Sequence, residues 1–358
     1  MTDSVALTDG VDRLEQANAA LAAGEIDDAL RLATHAVDLL SAACGPDHPD
    51  TANARLTISA VHERAGQFDV ARQFAVAAMN SLDLHAGCGV PEVAALRVNA
   101  MLVAGNLHRV LGDLDAARAL LGEAVIVAED ELGPGHPATA GAYNTLGIVG
   151  KFAARFDEGL AAYRRALACY ESLGDRSGMA AVLHNLGGLE HERGRPEAGI
   201  AYAQRGLALR EATLGPTHLD VAADLGALGA LFEQADRLVD AEIAYRRALA
   251  VFESVLGPHH YEVAVVCGNL ALLLARQGKA DAAEALYRRA LAGKRVALGA
   301  NHPDLAVTMH NLGVLLADTG RAAEGVELLR TAESLLAARL PADHPRLVAV
   351  RTTLAGFR

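Results

Sequence analysis

The 358-residue sequence has no tryptophan, and its seven phenylalanines and seven tyrosines bring aromatics to only 4%. A sheet core would draw on aromatic and β-branched side chains, whereas the abundant alanine suits helices that approach one another closely. Lysine occurs only at positions 151, 279 and 294, so nearly all of the 32 basic residues are arginine, which reads as the coding bias of a GC-rich genome. Four cysteines (Cys44, Cys88, Cys169 and Cys267) show no CxxC spacing and are expected as free thiols in a reducing, cytoplasmic compartment. The opening MTDSVALTDG has neither a basic n-region nor an apolar h-region, so no secretory signal is expected. The best apolar run, Val263 to Ala275, is interrupted by Gly268 and Asn269 and falls short of a membrane span. A net charge of −12 argues against a general nucleic-acid binder, which needs a basic face to displace counterions. No GxSxG, HExxH, phosphate-loop or paired-cysteine motif occurs, and no cofactor or metal is expected.

What is present is a repeat with a period of 42 residues. LGPTHLDVAADLGALGALFEQADRLVDAEIAYRRAL from Leu214, LGPHHYEVAVVCGNLALLLARQGKADAAEALYRRAL from Leu256 and LGANHPDLAVTMHNLGVLLADTGRAAEGVELL from Leu298 fall into register. A fixed period of this size marks a solenoid, in which each unit buries its apolar face against its neighbours. In the unit from His302 to Leu340, His302 is placed as an N-cap, Pro303 as the first helical residue and Asp304 in the first turn. Leu305, Met309, Leu312 and Leu316 then recur at helical spacing. Gly320 closes the first helix, and a second follows through Ala323, Val326, Leu328, Leu329 and Leu335, making an αα-hairpin.

Positions 24, 66, 112, 154, 194, 236, 278 and 320 give the turn register of eight hairpins. Two spacings depart from 42: one of 46 carrying HAGCGV at His85–Val90, and one of 40 carrying LGDRSG at Leu173–Gly178. Both are expected in loops between hairpins. Small residues recur where helices must approach: Gly147, Gly187, Gly229, Ala271 and Gly313 in first helices, and Ala36, Ala78, Ala124, Ala166, Ala248, Ala290 and Ala332 in second helices. The expected organisation is an N-terminal segment over 1–9, a solenoid over 10–342 and a C-terminal capping helix over 343–358.

The order of Leu and a small residue in the first helix, then Gly, then Ala, Tyr or Leu, and Ala in the second resembles the tetratricopeptide repeat. The 42-residue length, LGPGHP at Leu132–Pro137, NLALLLARQG at Asn269–Gly278 and AEALYRRAL at Ala283–Leu291 are similar to the kinesin-light-chain-type variant. The resemblance covers nearly the whole chain and is strongest from Leu173 to Leu340. It implies an all-α, right-handed superhelix whose first helices line a concave groove, which in that family binds peptide segments of other proteins without catalysis.

Helical spacing from the small residue predicts which side chains face that groove. They are Asn53, Glu63 and Arg64; Asn99, Asn106 and Arg109; Asn144 and Lys151; His184, Asn185, His191 and Glu192; Glu233 and Gln234; Asn269 and Arg276; and His310, Asn311 and Asp318. An asparagine amide donates and accepts at once, so it can read a peptide backbone. Asn185, Asn269 and Asn311 match the family's NL asparagine, while Thr57, Val103, Thr145 and Ala227 depart from it. The alternative is that these asparagines bond adjacent hairpins. Arg64, Arg109, Lys151 and Arg276 suit a carboxylate clamp, yet Glu63, Glu192 and Glu233 lie beside them and offer internal ion pairs instead.

Histidines at 48, 136, 218, 260, 302 and 344 share one slot. Hairpins about 10 Å apart cannot bring two of them to one ion about 2 Å from each, so they are read as N-caps. The basic doublets Arg164–Arg165, Arg246–Arg247 and Arg288–Arg289 lie on second helices and are expected to pair with acids or stay solvated. The leading expectation is a non-enzymatic scaffold that binds a protein or peptide, with no nucleic acid or membrane partner. The alternative is an enzyme or a small-molecule or metal site around Asn144, Lys151, His184, His191 and Glu192. Self-association through an end or the groove is a third reading.

Overall fold

The computed structural model describes residues 2–357, which contain seventeen helices and no strand. They divide into two compact units, Met1–Asn185 and Leu186–Arg358. The first unit holds α1 (Thr2–Ala23), α2 (Ile26–Cys44), α3 (Pro49–Arg64), α4 (Phe68–Asp83), α5 (Pro91–Val110), α6 (Leu114–Leu132), α7 (Pro137–Phe152) and α8 (Phe156–Leu173). Helix α9 (Arg176–Glu192) begins in the first unit and ends in the second. The second unit continues with α10 (Pro196–Leu214), α11 (Leu219–Gln234), α12 (Leu238–Leu256), α13 (Tyr261–Arg276), α14 (Ala280–Leu298), α15 (Asp304–Asp318), α16 (Ala322–Ala337) and α17 (Pro345–Ala355). Within each unit an odd-numbered helix packs on the even-numbered helix that follows, and each pair stacks on the next. Residues 2–9 are continuous with α1, and α17 lies on α16 with Leu347 and Val350 buried.

The turn inside each hairpin needs one residue at positive φ, the region that glycine enters without steric cost. All eight turn positions named from the sequence adopt it, including Ala154 at φ 54° and Asp236 at φ 59°, where the slot holds no glycine. At the other end of the hairpin, the recurring histidines cap first helices. His48, His136, His218, His260 and His344 each accept, at Nδ1, the backbone N–H two residues on, at 3.1–3.2 Å. Helix α15 starts at Asp304, one residue later than the expected Pro303, yet His302 still accepts the Asp304 N–H at 3.2 Å. An imidazole whose Nδ1 accepts carries its proton on Nε2.

The long 46-residue spacing is absorbed in the link between α4 and α5, as expected. The short one differs from expectation. Only Gly174 and Asp175 lie outside helices, and Arg176, Ser177 and Gly178 form the first turn of α9. The reason is a local cap: Asp175 Oδ1 accepts the Gly178 N–H at 3.0 Å, replacing the histidine cap and four-residue link of the α2–α3, α6–α7, α10–α11 and α12–α13 junctions.

The small-residue slots set how closely helices approach. The seven second-helix alanines are all fully buried. A Cβ on Gly229 would come within 2.6 Å of the Tyr245 ring, and one on Gly147 within 2.5 Å of Tyr163. At Gly187 the nearest atom is 3.4 Å away, ordinary contact with Ala203.

Two sets of substitutions test this packing by chemical denaturation. Ala154→Gly and Asp236→Gly are expected to stabilise by about 0.5–1 kcal/mol each, by relieving the positive φ. Gly229→Ala is expected to destabilise by about 1–3 kcal/mol, whereas Gly187→Ala gains up to about 1 kcal/mol from helix propensity. Equal effects at the two glycines would refute the close-approach account.

Candidate functional site

On the first-helix face of the first unit, Asn53, Arg64 and Asn99 stand exposed. Asn106 donates to Glu63 Oε1 at 3.5 Å and accepts from the Arg109 guanidinium at 2.8 and 3.0 Å. That guanidinium lies 4.6 Å over the Phe152 ring, and the Lys151 ammonium is 5.2 Å from the same ring. Asn185 donates to Asn144 at 3.0 Å, and Thr57 donates to Asn18 at 3.1 Å. Several side chains expected in a groove thus contact one another from hairpin to hairpin. His184 is half-buried.

In the second unit these contacts follow a rule. His191 is half-buried, Glu192 is exposed, and the His191 carbonyl accepts from the Gln234 amide at 3.1 Å, 43 residues on. Glu233 accepts from Arg276, again 43 residues on, at 3.0 Å. Arg276 also reaches Asp236 at 3.3 Å, and the Tyr245 hydroxyl donates to Glu233 at 3.3 Å. The next pair in this ladder is Ala275 and Asp318. A methyl group cannot meet a carboxylate, so the rung is missing.

A cleft of about 540 Å³ opens there, between α13 and α15 above α14. Its apolar lining is Leu272, Ala275, Val314 and Leu315, with Tyr287 below. Arg276, His310, Asn311 and Asp318 stand around it, and Asn269 is exposed one turn away on α13. Burial pushes the Tyr287 phenol up, and a side-chain hydrogen bond with Asn311 partly offsets this. Burial also lowers His310 below the ordinary imidazole value, so the ring is neutral at neutral pH while its Nε2 lies 2.9 Å from Thr353 Oγ1. Glu233 and Asp236 hold the Arg276 guanidinium at this end of the cleft, and Asp318 lines it as a further carboxylate.

Two other clefts, of about 280 and 530 Å³, lie between second helices, α10 with α12 and α14 with α16. Their linings correspond residue for residue at two 42-residue periods, for example Gln204 with Arg288, Leu207 with Leu291 and Phe232 with Leu316. The repeat itself produces these. The α13–α15 cleft instead comes from a break in the repeat.

The doublet arginines Arg246–Arg247 and Arg288–Arg289 on second helices are engaged with acids. Arg246 and Arg288 pair four residues back with Glu242 and Glu284, and Arg247 and Arg289 reach Glu211 and Glu253 of the preceding second helix. Among the described residues no group of three or more His, Cys, Asp or Glu is placed to hold a metal, and no helix is long and apolar enough to cross a membrane. Of the residues considered for chemistry, Lys151 and His184 lie in the first unit, and His191 and Glu192 in the second. Leu272, Tyr287, Val314 and Leu315 were not among the residues expected from sequence. The signal for them is Ala275, which occupies a slot held by Glu63, Arg109, Lys151, His191 and Glu233 in the five repeats before it, and by Leu21 and Ala317 in the first and last.

The lowered His310 value has a sign. The unfolded chain takes up the proton first as pH falls below about 6.5, so this group's contribution to stability is present above that pH and is lost as pH falls toward the folded value. Denaturation midpoints at pH 7 and pH 5 are expected to differ less in His310→Gln than in the wild type.

The sequence model of the family described as "Tetratricopeptide repeat" matches residues 12–82, 97–172, 178–254, 235–295 and 262–338. Similar folds occur in solved structures. BtubC (BKLC) from P. vanneervenii aligns at 23% identity and TM-score 0.56, covering 63% of this chain and 91% of that one. A putative kinesin light chain from Podosopora anserina aligns at 18% identity and TM-score 0.50, covering 57% and 97%. A signal-transduction ATPase with a tetratricopeptide repeat sensor, from Pyrococcus horikoshii, aligns at 15% identity and TM-score 0.66, covering 93% of this chain and 47% of that one. At these identities the likeness is one of fold. No curated protein matches the sequence.

Proposed function

Because this chain belongs to the tetratricopeptide repeat family, we propose that it is a non-enzymatic scaffold that holds a segment of a partner protein against its first-helix face. The α13–α15 cleft is the anchor point. The observation that carries this reading is the missing rung: at the two preceding steps of the second unit's face Gln234 meets the His191 carbonyl and Arg276 meets Glu233, whereas Ala275 leaves an apolar cleft ringed by polar groups. An apolar cavity of several hundred Å³ with a few convergent polar groups is the usual form of a recognition pocket. Asn311 borders it and Asn269 lies one turn away on α13, both with amides suited to a partner's backbone. A framework of packed helices loses little further freedom on binding, which favours affinity.

Selection of displayed random peptides on the purified chain tests this. Enriched peptides are expected to bind with a Kd on the order of micromolar. Val314→Arg, which places a charge in the cleft, is expected to weaken them at least about tenfold, while Asn269→Ala and Asn311→Ala lose several-fold and circular dichroism remains helical. Enriched peptides that bind well-folded Val314→Arg as tightly as wild type would overturn the assignment of the cleft.

A further inference from the structure

The charges around the α13–α15 cleft specify more than its shape does. Its interior is apolar and its one lining cation is already neutralised, since Arg276 contacts both Glu233 at 3.0 Å and Asp236 at 3.3 Å. Lys279, beside the lining residue Gly278, is held by Glu242 at 2.9 Å, and Arg321 by Glu284 and Glu324. Asp318 stands exposed at the cleft with no cation opposite, because the position 43 residues before it is Ala275. An incoming carboxylate therefore meets carboxylates and no available cation. An incoming lysine or arginine meets Asp318 directly and the excess charge of the Glu233–Asp236 pair beyond it. The whole chain, at −12, biases encounter the same way.

Building on the scaffold reading, we propose that the occupant of this cleft is a cationic protein segment. It inserts one large apolar side chain over Leu272, Val314 and Leu315 and places an adjacent lysine or arginine against Asp318. The apolar insertion supplies affinity by leaving water, and the charge supplies orientation and discrimination. A neutral His310 at the cleft wall leaves this preference intact.

Three synthetic peptides separate the outcomes by fluorescence anisotropy: a central leucine flanked by lysines, the same leucine flanked by glutamates, and the lysine peptide with serine at its centre. The lysine–leucine peptide is expected to bind wild type at least about tenfold tighter than either other, and to weaken as salt rises from about 20 to 200 mM. Asp318→Lys is expected to cost it about tenfold and to remove the bias against glutamate, with helical circular dichroism retained in the variant. Tighter binding of the glutamate peptide would overturn the cationic assignment and leave the cleft reading standing. Lysine-peptide binding that is indifferent to the central serine and to Val314→Arg would reduce the attraction to net charge and overturn it as well. No binding by any of the three, with display selection also empty, would remove the scaffold reading itself.

Discussion

Close approach between helices is the constraint from which the rest follows. Seven of the eight second helices hold one position to a methyl group, α10 having Gly206 there, and Gly147 and Gly229 on first helices leave no room even for that beneath a buried tyrosine. With separation fixed by these slots, side chains at the helix flanks fall at repeating distances from their counterparts in the next hairpin. The diagonal contacts on the first-helix face and the ion pairs between second helices are both consequences of that spacing. Individually the exposed pairs contribute little, so their role is to fill and align the surfaces between hairpins.

On the second unit's first-helix face the contacts join residues 43 apart, one more than the repeat, so each links a position to its diagonal neighbour. Such a ladder is continuous only if both ends of every rung have compatible chemistry. Glu233 with Arg276 satisfies this; Ala275 with Asp318 does not. The cleft therefore arises from an incompatibility between two adjacent repeats, and its residues otherwise obey the pattern of the fold.

Much of the architecture was legible because it depends on single residues with strong local preferences. The turn slot was readable even at Ala154 and Asp236, since glycine at the six other positions set the register. The histidine caps were readable from their place before helix starts. Less legible was anything depending on two positions at once. The link at Leu173–Gly178 looks like loop in composition, yet Asp175 caps a helix that claims its second half. The asparagines and charges of the first-helix face fit either partner contact or mutual pairing, because spacing along one helix does not say what stands opposite on the next. Asn106, Arg109, Asn144, Asn185, Glu233 and Arg276 pair among themselves. The cleft was hidden for the same reason: an alanine in a slot that the five preceding repeats fill with polar side chains becomes informative only once its diagonal neighbour is known.

The diagonal rule also bears on how such a scaffold changes its target. Because each contact spans only neighbouring hairpins, a cavity is made by removing one side chain rather than by assembling many. Mutational drift at one slot can open a niche at any step of the stack, and a compensating change one period away can shut it without disturbing the remaining steps. On the proposed reading, recognition is held in the vacancies of a periodic surface, where selection can relocate it by single codons.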